Sequence, residues 1–173
     1  MSAVAIANSA LPDGVRAALC SELASAAAGM CAGQALDIDA TGQASAFDIA
    51  SLERLHALKT GALLRASLRM GAVVAGADAA SRHALDRFAD ALGLAFQVRD
   101  DLLDVEGESA TLGKTTGKDA AQAKPTFPAL IGVEASRARL DALAFDMRDA
   151  LGSLAVDTST LAALGRLAID RDR

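Results

Sequence analysis

Three aspartates and a glutamine stand close together in the segment 96–104, whose sequence is FQVRDDLLD. On an α-helix, Asp100 and Asp104 would lie one turn apart, with Asp101 about 100° around the axis and Gln97 one turn before them. Carboxylates this close repel one another, and a divalent cation would relieve the repulsion. Mg²⁺ is usually held by one or two carboxylates together with substrate phosphates and water. Because such a segment is more often only a solvated helix face, the hypothesis of a Mg²⁺ site depends on other residues.

Lysines next to glycines supply those other residues. Lys59 precedes Thr60 and Gly61, and the segment 113–119 contains two more Gly-Lys pairs, GK and GKD. Lys124 ends this polar stretch. Glycine lets a backbone approach a phosphate closely, and lysine supplies a point charge. Each pair alone is weak evidence, but together with the aspartates they predict a site for a diphosphate and Mg²⁺.

The composition predicts that helices position these residues. Apolar residues make up 52% of the 173 residues, while aromatics are only 3% and prolines number 3. Alanine is the best helix former, whereas strands favour aromatic and β-branched residues, so we expect an all-α helical bundle. The periodicity predicts helices over about 13–36, 48–76, 78–105, 126–155 and 159–171, with polar loops at 39–45 and 107–124.

Two of these helices carry more detailed predictions. Asp13 and Asp48 are expected to be the N-cap residues of the first and second helices. The second helix should bend near Lys59, and its apolar stripe should include Leu52 and Leu63, together with Leu55, Leu64 and Leu68.

Charge and cysteine content exclude some classes of protein. A net charge of −5 counts against nucleic-acid binding. The longest uncharged stretch, between Glu22 and Asp37, is shorter than the roughly 20 apolar residues that a membrane span needs, and the N-terminal segment does not resemble a secretory signal. Cys20 and Cys31 would lie about 16 Å apart on one helix, too far for a disulfide, and suggest buried thiols in a reducing cytoplasm.

Several segments occur together in the order typical of one enzyme family. They are GQALD at 33–37, KTGAL at 59–63, FQ and DDLLD within 96–104, and KPTFP at 124–128, with the two Gly-Lys pairs between the last two. From about Leu11 onward the chain resembles the C-terminal half of the trans-polyprenyl diphosphate synthases, in particular the bacterial farnesyl and geranyl diphosphate synthases. The resemblance implies the C-terminal part of the isoprenoid synthase fold.

The resemblance also implies roles for the acidic residues. Asp100, Asp101 and Asp104 would form the second aspartate-rich motif and bind Mg²⁺, with Asp100 as the most direct ligand. Asp119 would support the metal site. Asp37, together with Gln34, would brace the region of Lys59.

The remaining matching residues would act on the substrates, an allylic diphosphate and isopentenyl diphosphate. Lys59 and Lys114 would hold the allylic diphosphate, and Lys124 would support the same site. Thr60 and Gln97 would place oxygen dipoles near the allylic cation, where they stabilise developing positive charge. Phe96 would line the pocket of the second substrate.

Two expected motifs are absent from the sequence. No earlier aspartate-rich motif precedes Gly33, and the Gly-Lys-Arg segment that would grip isopentenyl diphosphate is missing. We therefore expect residues 1–173 to form a partial polyprenyl synthase domain that is inactive alone and needs an N-terminal half, the complete enzyme being a homodimer. Farnesyl diphosphate is the first expectation for its product, with C10 and longer products as alternatives. The alternatives are a non-catalytic subunit or regulatory partner of a complete synthase and, with less support, a terpene cyclase.

Overall fold

The computed structural model describes residues 3–42, 47–110 and 124–171. This part of the chain is all-α and contains no strand, which confirms the predicted fold class. Its eight α-helices are α1 (Ala3–Ala7), α2 (Asp13–Ala40), α3 (Ile49–His56), α4 (Ala62–Val74), α5 (Ala79–Ala110), α6 (Phe127–Ile131), α7 (Val133–Gly152) and α8 (Ser159–Asp170). A single π-helical turn, Ala57–Gly61, joins α3 to α4.

Helix starts follow local capping chemistry. Asp48 caps α3, since its carboxylate accepts a hydrogen bond of 2.8 Å from the backbone N–H of Ser51, as predicted. The same prediction was wrong for Asp13, which lies inside the first turn of α2 and pairs with Arg16. Pro12 occupies the N-cap position instead, and its extended backbone (φ −55°, ψ 147°) leads the chain directly into the helix.

Several boundaries differ from those predicted. α2 continues to Ala40 and α5 to Ala110, so parts of both predicted loops are helical. The predicted helix 126–155 is two helices, because Gly132 has a φ of 84°, which an α-helix does not allow. α1 precedes the first of the predicted helices, and it buries Ile6.

Near Lys59, where a bend was predicted, the structure has the π-helical turn. A π-helical turn has wider hydrogen-bonded rings than an α-helix and shifts the helical register beyond it. In an uninterrupted α-helix, Leu63 would lie within about 20° of Leu52 around the axis. Leu52 is buried, but Leu63 is 36% exposed, and the buried residues of α4 are Ala66, Met70 and Ala72. The prediction of Leu63 in the buried stripe was therefore wrong.

α5 runs through the centre of the described structure and packs most extensively against α7. The main core contains Phe88, Val98 and Leu102 of α5, with Leu143 and Met147 of α7. A smaller cluster of Ile6, Leu19 and Met70 lies where α1, α2 and α4 meet. Both clusters are apolar and hold the helices that carry the predicted site.

The two cysteines are both free, as expected, but only one is partly buried. Cys20 is half-buried beside the smaller core cluster, whereas Cys31 is exposed, so the expectation of two buried thiols was wrong for Cys31. Among the described residues, no helix has the length and apolar character required to cross a membrane.

Candidate active site

The π-helical turn is held against α2 and α5 by two glycines. A Cβ atom built on Gly33 of α2 would lie 2.3 Å from the backbone nitrogen of Lys59. One built on Gly93 of α5 would lie 3.0 Å from the Cα of Gly61. The backbone of the turn therefore rests directly on both helices, and a larger side chain at position 33 would displace it.

Two lysines converge on one carboxylate at this turn. The Nζ of Lys59 lies 2.7 Å from Oδ2 of Asp37, and the Nζ of Lys124 lies 3.3 Å from the same oxygen. Burial alone would raise the pKa of Asp37, but the hydrogen bonds and charges of Lys59 and Lys124 outweigh it and hold the pKa below its usual value. Asp37 thus orients both lysines, while the side chain of Gln34 is exposed.

A chain of hydrogen bonds links the turn to the acidic segment of α5. The Thr60 hydroxyl donates to Oε1 of Gln97 at 3.1 Å, and Nε2 of Gln97 donates to Oδ2 of Asp100 at 3.1 Å. Gln97 and Asp100 are three residues apart on α5, so both side chains face the turn. The structure therefore brings together Thr60, Gln97 and Asp100, and it places Lys59 next to Thr60.

The other oxygen of Asp100 contacts an arginine that no sequence motif had indicated. Arg171 follows α8, and its Nη2 pairs with Oδ1 of Asp100 and donates to the carbonyl oxygen of Phe96 at 2.8 Å. Its guanidinium lies over the ring of Phe96, 3.8 Å from the centroid. Nε of Arg99 in turn donates to the carbonyl oxygen of Arg171 at 3.1 Å. These contacts join α8 to the acidic segment.

The three aspartates do not point to one place. Asp101 is 7% exposed and accepts a hydrogen bond of 2.8 Å from the backbone N–H of Phe127, so it fixes the start of α6. Asp104 is half-buried. Within residues 3–42, 47–110 and 124–171, no three His, Cys, Asp or Glu side chains are grouped closely enough to hold a metal ion. Lys114 and Asp119 lie outside the described residues.

His56 is a further polar residue at the site that the sequence did not reveal. It ends α3, and its ring stacks on that of Phe127 with centroids 5.9 Å apart. Burial, and secondarily the charge of Lys59, lower the pKa of His56 to about 4, against the opposing effects of Asp37 and Gln97. Its ring is therefore neutral near pH 7, and neither nitrogen has a hydrogen-bond partner in the part of the chain that is described.

The donor set present suits Mg²⁺. Asp100 has a side chain that is 44% exposed, and Asp104 follows it by one helical turn. Mg²⁺ binds oxygen ligands and commonly takes one or two protein carboxylates, with phosphates and water completing its shell. A cluster of three acidic groups is therefore not required for a Mg²⁺ site.

Comparison with known proteins identifies the family. The sequence model of the polyprenyl synthetase family matches residues 2–150. This chain belongs to that family. The chain is 49% identical over 168 residues to farnesyl diphosphate synthase from Escherichia coli K12 and 41% identical over 167 residues to that from Geobacillus stearothermophilus. These alignments cover 93% and 94% of this chain. The predicted family membership is confirmed, and polyprenyl synthetases are generally Mg²⁺-dependent prenyltransferases.

A solved structure agrees with this membership. The chain is similar, with a TM-score of 0.76 and 31% identity, to geranyltransferase from Helicobacter pylori in complex with magnesium and isoprenyl diphosphate. That alignment covers 97% of this chain and 55% of the Helicobacter chain. The chain likewise spans about half the length of the curated relatives it matches, 55% of the Escherichia protein and 54% of the Geobacillus protein.

Proposed function

We propose that this chain forms the C-terminal part of a Mg²⁺-dependent prenyl diphosphate synthase, with farnesyl diphosphate as the expected product. The observation that carries the proposal is the hydrogen-bonded chain from Thr60 through Gln97 to Asp100. It joins a hydroxyl, an amide and a carboxylate on one side of α5, next to Lys59. Family membership supplies the reaction class, and this local geometry supports the assignment of individual residues.

The lysines are suited to bind a diphosphate. Lys59 and Lys124 share the carboxylate of Asp37, so the three side chains carry one net positive charge. Their side chains are 31% and 24% exposed, which leaves both ammonium groups accessible to phosphate oxygens. Asp37 keeps them close together before a ligand arrives, which lowers the entropy cost of binding. Asp100 and Asp104 would hold Mg²⁺, which when bound stabilises the negative charge of the leaving diphosphate.

Thr60 and Gln97 are suited to stabilise the positive charge that develops on the allylic carbon atoms. The allylic C–O bond breaks and its electron pair leaves with the diphosphate. The double bond of isopentenyl diphosphate then supplies the electron pair of the new C–C bond, and a proton is lost. The hydroxyl oxygen of Thr60 and the amide oxygen of Gln97 supply fixed dipoles for the transient positive charge. Phe96 would line the pocket of isopentenyl diphosphate, and the protein supplies no nucleophile.

We further propose that residues 1–173 are a partial domain and that turnover requires an N-terminal half, in an enzyme that forms a homodimer. The test is complementation with a separately produced polypeptide that carries the N-terminal part of the Escherichia coli enzyme. Incorporation of labelled isopentenyl diphosphate is measured with geranyl diphosphate and Mg²⁺, and product length is read by chromatography. We expect farnesyl diphosphate from the mixture and negligible product from either piece alone. Full turnover by this chain alone would contradict the requirement for a second part.

Two variants make the complementation test specific. Asp100→Ala should lower the rate of the mixture about a hundredfold or more, because stabilisation of the leaving group by the metal is worth several kcal/mol. Asp149→Ala should leave the rate unchanged. It removes a carboxylate from an exposed pair with Arg87, which lies roughly 20 Å from Asp100 by the rise of α5. If this chain instead stimulated an intact synthase and Asp100→Ala stimulated it equally, the chain would be a non-catalytic partner.

A further inference from the structure

Arg171 contacts Asp100 through one nitrogen, unlike the two-nitrogen contact that Arg69 makes with Asp86. In the pair between Arg69 and Asp86, Nε and Nη2 of the guanidinium donate to both carboxylate oxygens at 2.6 and 2.8 Å. Arg171 uses only Nη2 on Asp100, and its Nε is buried with no hydrogen-bond partner among the described residues. A guanidinium with an unsatisfied buried donor is not in its most stable arrangement.

The position of Arg171 does not depend on Asp100 alone. Nη2 also donates to the carbonyl oxygen of Phe96, and the guanidinium lies over the Phe96 ring. A cation over an aromatic face is stabilised without a carboxylate. The backbone is fixed separately by Arg99, which donates to the Arg171 carbonyl and pairs with Glu106. Arg171 can therefore keep its contacts with Phe96 if Asp100 binds another partner.

Both oxygens of Asp100 are engaged within the protein. Oδ2 accepts from Gln97 and Oδ1 accepts from Arg171. A metal ion that binds Asp100 needs an oxygen lone pair and repels a guanidinium at the same atom. We propose that Arg171 is a positioning residue that acts as an internal counter-ion for Asp100, and that Mg²⁺ must displace it to bind. This inference rests on the proposed function, because it requires that Asp100 is a Mg²⁺ ligand.

The competition has a measurable consequence. The apparent affinity of a ligand is reduced by the fraction of protein that is competent to bind it. Because the Asp100 side chain is 44% exposed, the pair with Arg171 has moderate strength, and we expect about a threefold to tenfold reduction in Mg²⁺ affinity. Removing Arg171 should restore that affinity.

The experiment measures Mg²⁺ binding to the 173-residue chain by isothermal titration calorimetry, without substrates. Arg171→Gln should lower the dissociation constant of Mg²⁺ about threefold to tenfold, and Arg171→Lys, which keeps the charge but loses the fork of donors, should give an intermediate value. Arg87→Gln removes the same charge from an exposed pair on α5, roughly 20 Å from Asp100 by helical rise, and should change nothing. Circular dichroism checks that each variant is folded.

A second readout separates displacement from a general effect of charge. In ¹⁵N-labelled chain, the Nε–H resonance of Arg171, assigned by its loss in Arg171→Gln, should move when Mg²⁺ saturates the site. The resonance of Arg139, which pairs with Glu53, should stay in place. Tighter Mg²⁺ binding by Arg171→Gln with an unmoved Arg171 resonance would overturn the displacement.

The outcomes distinguish this inference from the proposed function. If Asp100→Asn loses Mg²⁺ binding but neither Arg171 variant tightens it, the metal site stands and the counter-ion role is refuted. If Asp100→Asn binds Mg²⁺ as well as the unmodified chain, the metal site at Asp100 is wrong and the counter-ion role falls with it. Tighter binding by Arg171→Gln, its loss in Asp100→Asn and a shifted Arg171 resonance together support both.

Discussion

α5 makes two contacts with its neighbours that consist of different kinds of residue. Toward α7, Phe88 meets Leu143 and Met147 in a core of large apolar side chains. Toward the π-helical turn, Gly93 leaves no side chain at all, and Gly33 of α2 does the same from the other side. Large side chains bury much apolar area and supply stability, whereas glycine contacts fix a backbone position directly. The second kind occurs where polar side chains must be placed accurately.

The polar groups follow the same division. His56, Asp37 and Asp101 are buried or half-buried near the π-helical turn, and each is positioned by a neighbour on another helix. On α7 the buried polar side chain is Ser136, whose hydroxyl donates to the carbonyl oxygen of Gly132, the N-cap residue of that helix. Burial of charge is costly, so the site region draws on stability that the apolar region supplies. Four substitutions test this difference.

Phe88→Ala should have the largest effect on stability and none on the site. Phe88 is fully buried, and truncating such a residue costs about 4 kcal/mol of unfolding free energy. Urea unfolding measures the loss, and titration with inorganic diphosphate and Mg²⁺ measures the site in the same protein. A variant that stays folded but binds diphosphate more weakly would show that the two regions are not separate.

His56→Phe should remove a pH dependence that belongs to the site region. The folded-state pKa of about 4 is below the unfolded value of about 6.5, so the unfolded chain binds the proton more tightly. The contribution of the neutral ring to the free energy of unfolding is fully present above pH 6.5. It is lost as the pH falls toward 4, by up to about 3 kcal/mol. His56→Phe should flatten unfolding curves across this range relative to the unmodified chain. His83→Gln, at an exposed histidine, is the control and should keep the original profile.

Gly33→Ala should affect both stability and the site. Its Cβ would meet the backbone of Lys59 at 2.3 Å, which must move, and overpacking of this kind costs about 2 kcal/mol. Because Lys59 moves with its backbone, diphosphate affinity should also fall. Gly71→Ala in α4 has no atom within 4 Å of the new Cβ and should instead stabilise the protein by about 0.5–1 kcal/mol. Equal behaviour of the two variants would refute the backbone contact.

Thr126→Ala should have the smallest effect. The Thr126 hydroxyl caps α6 by accepting from the N–H of Ala129 at 3.3 Å, and loss of such a cap costs about 1 kcal/mol. α6 carries Phe127, which contacts both Asp101 and His56. The variant should therefore also hold these two side chains slightly less firmly in place. Thr126→Ser keeps the hydroxyl and should behave like the original protein, as judged by thermal unfolding.

The sequence predicted what depends on local pattern and missed what depends on distant contacts. Helical periodicity and low aromatic content gave the all-α class and four of the longer helices. The cap at Asp48 and the irregularity near Lys59 were also predicted, because both are properties of short segments. The break at Gly132 was missed, since a glycine is compatible with a helix until packing selects a positive φ.

The candidate site was predicted in part for the same reason. Gln97 and Asp100 face one side because helical spacing dictates it, and the order of motifs indicated Lys59 and Thr60. Asp101 was grouped with its neighbours, although its carboxylate holds the start of α6 some 26 positions along the chain. Arg171 reaches Asp100 from 71 positions away, and no periodicity encodes such a contact.

The number of residues in the π-helical turn also has a consequence for how the gene can change. A stretch of this kind, Ala57–Gly61, contains one residue more than a regular helix would use over the same path. Loss of a single codon there would yield an unbroken helix from α3 to α4, in which Leu63 would lie ten positions after Leu52 and about 80° from it around the axis. The repaired helix would be more regular, but it would lose the wider turn that carries Lys59 and Thr60. One residue more or less in this segment thus decides whether α3 and α4 form one regular helix or are joined through the π-helical turn.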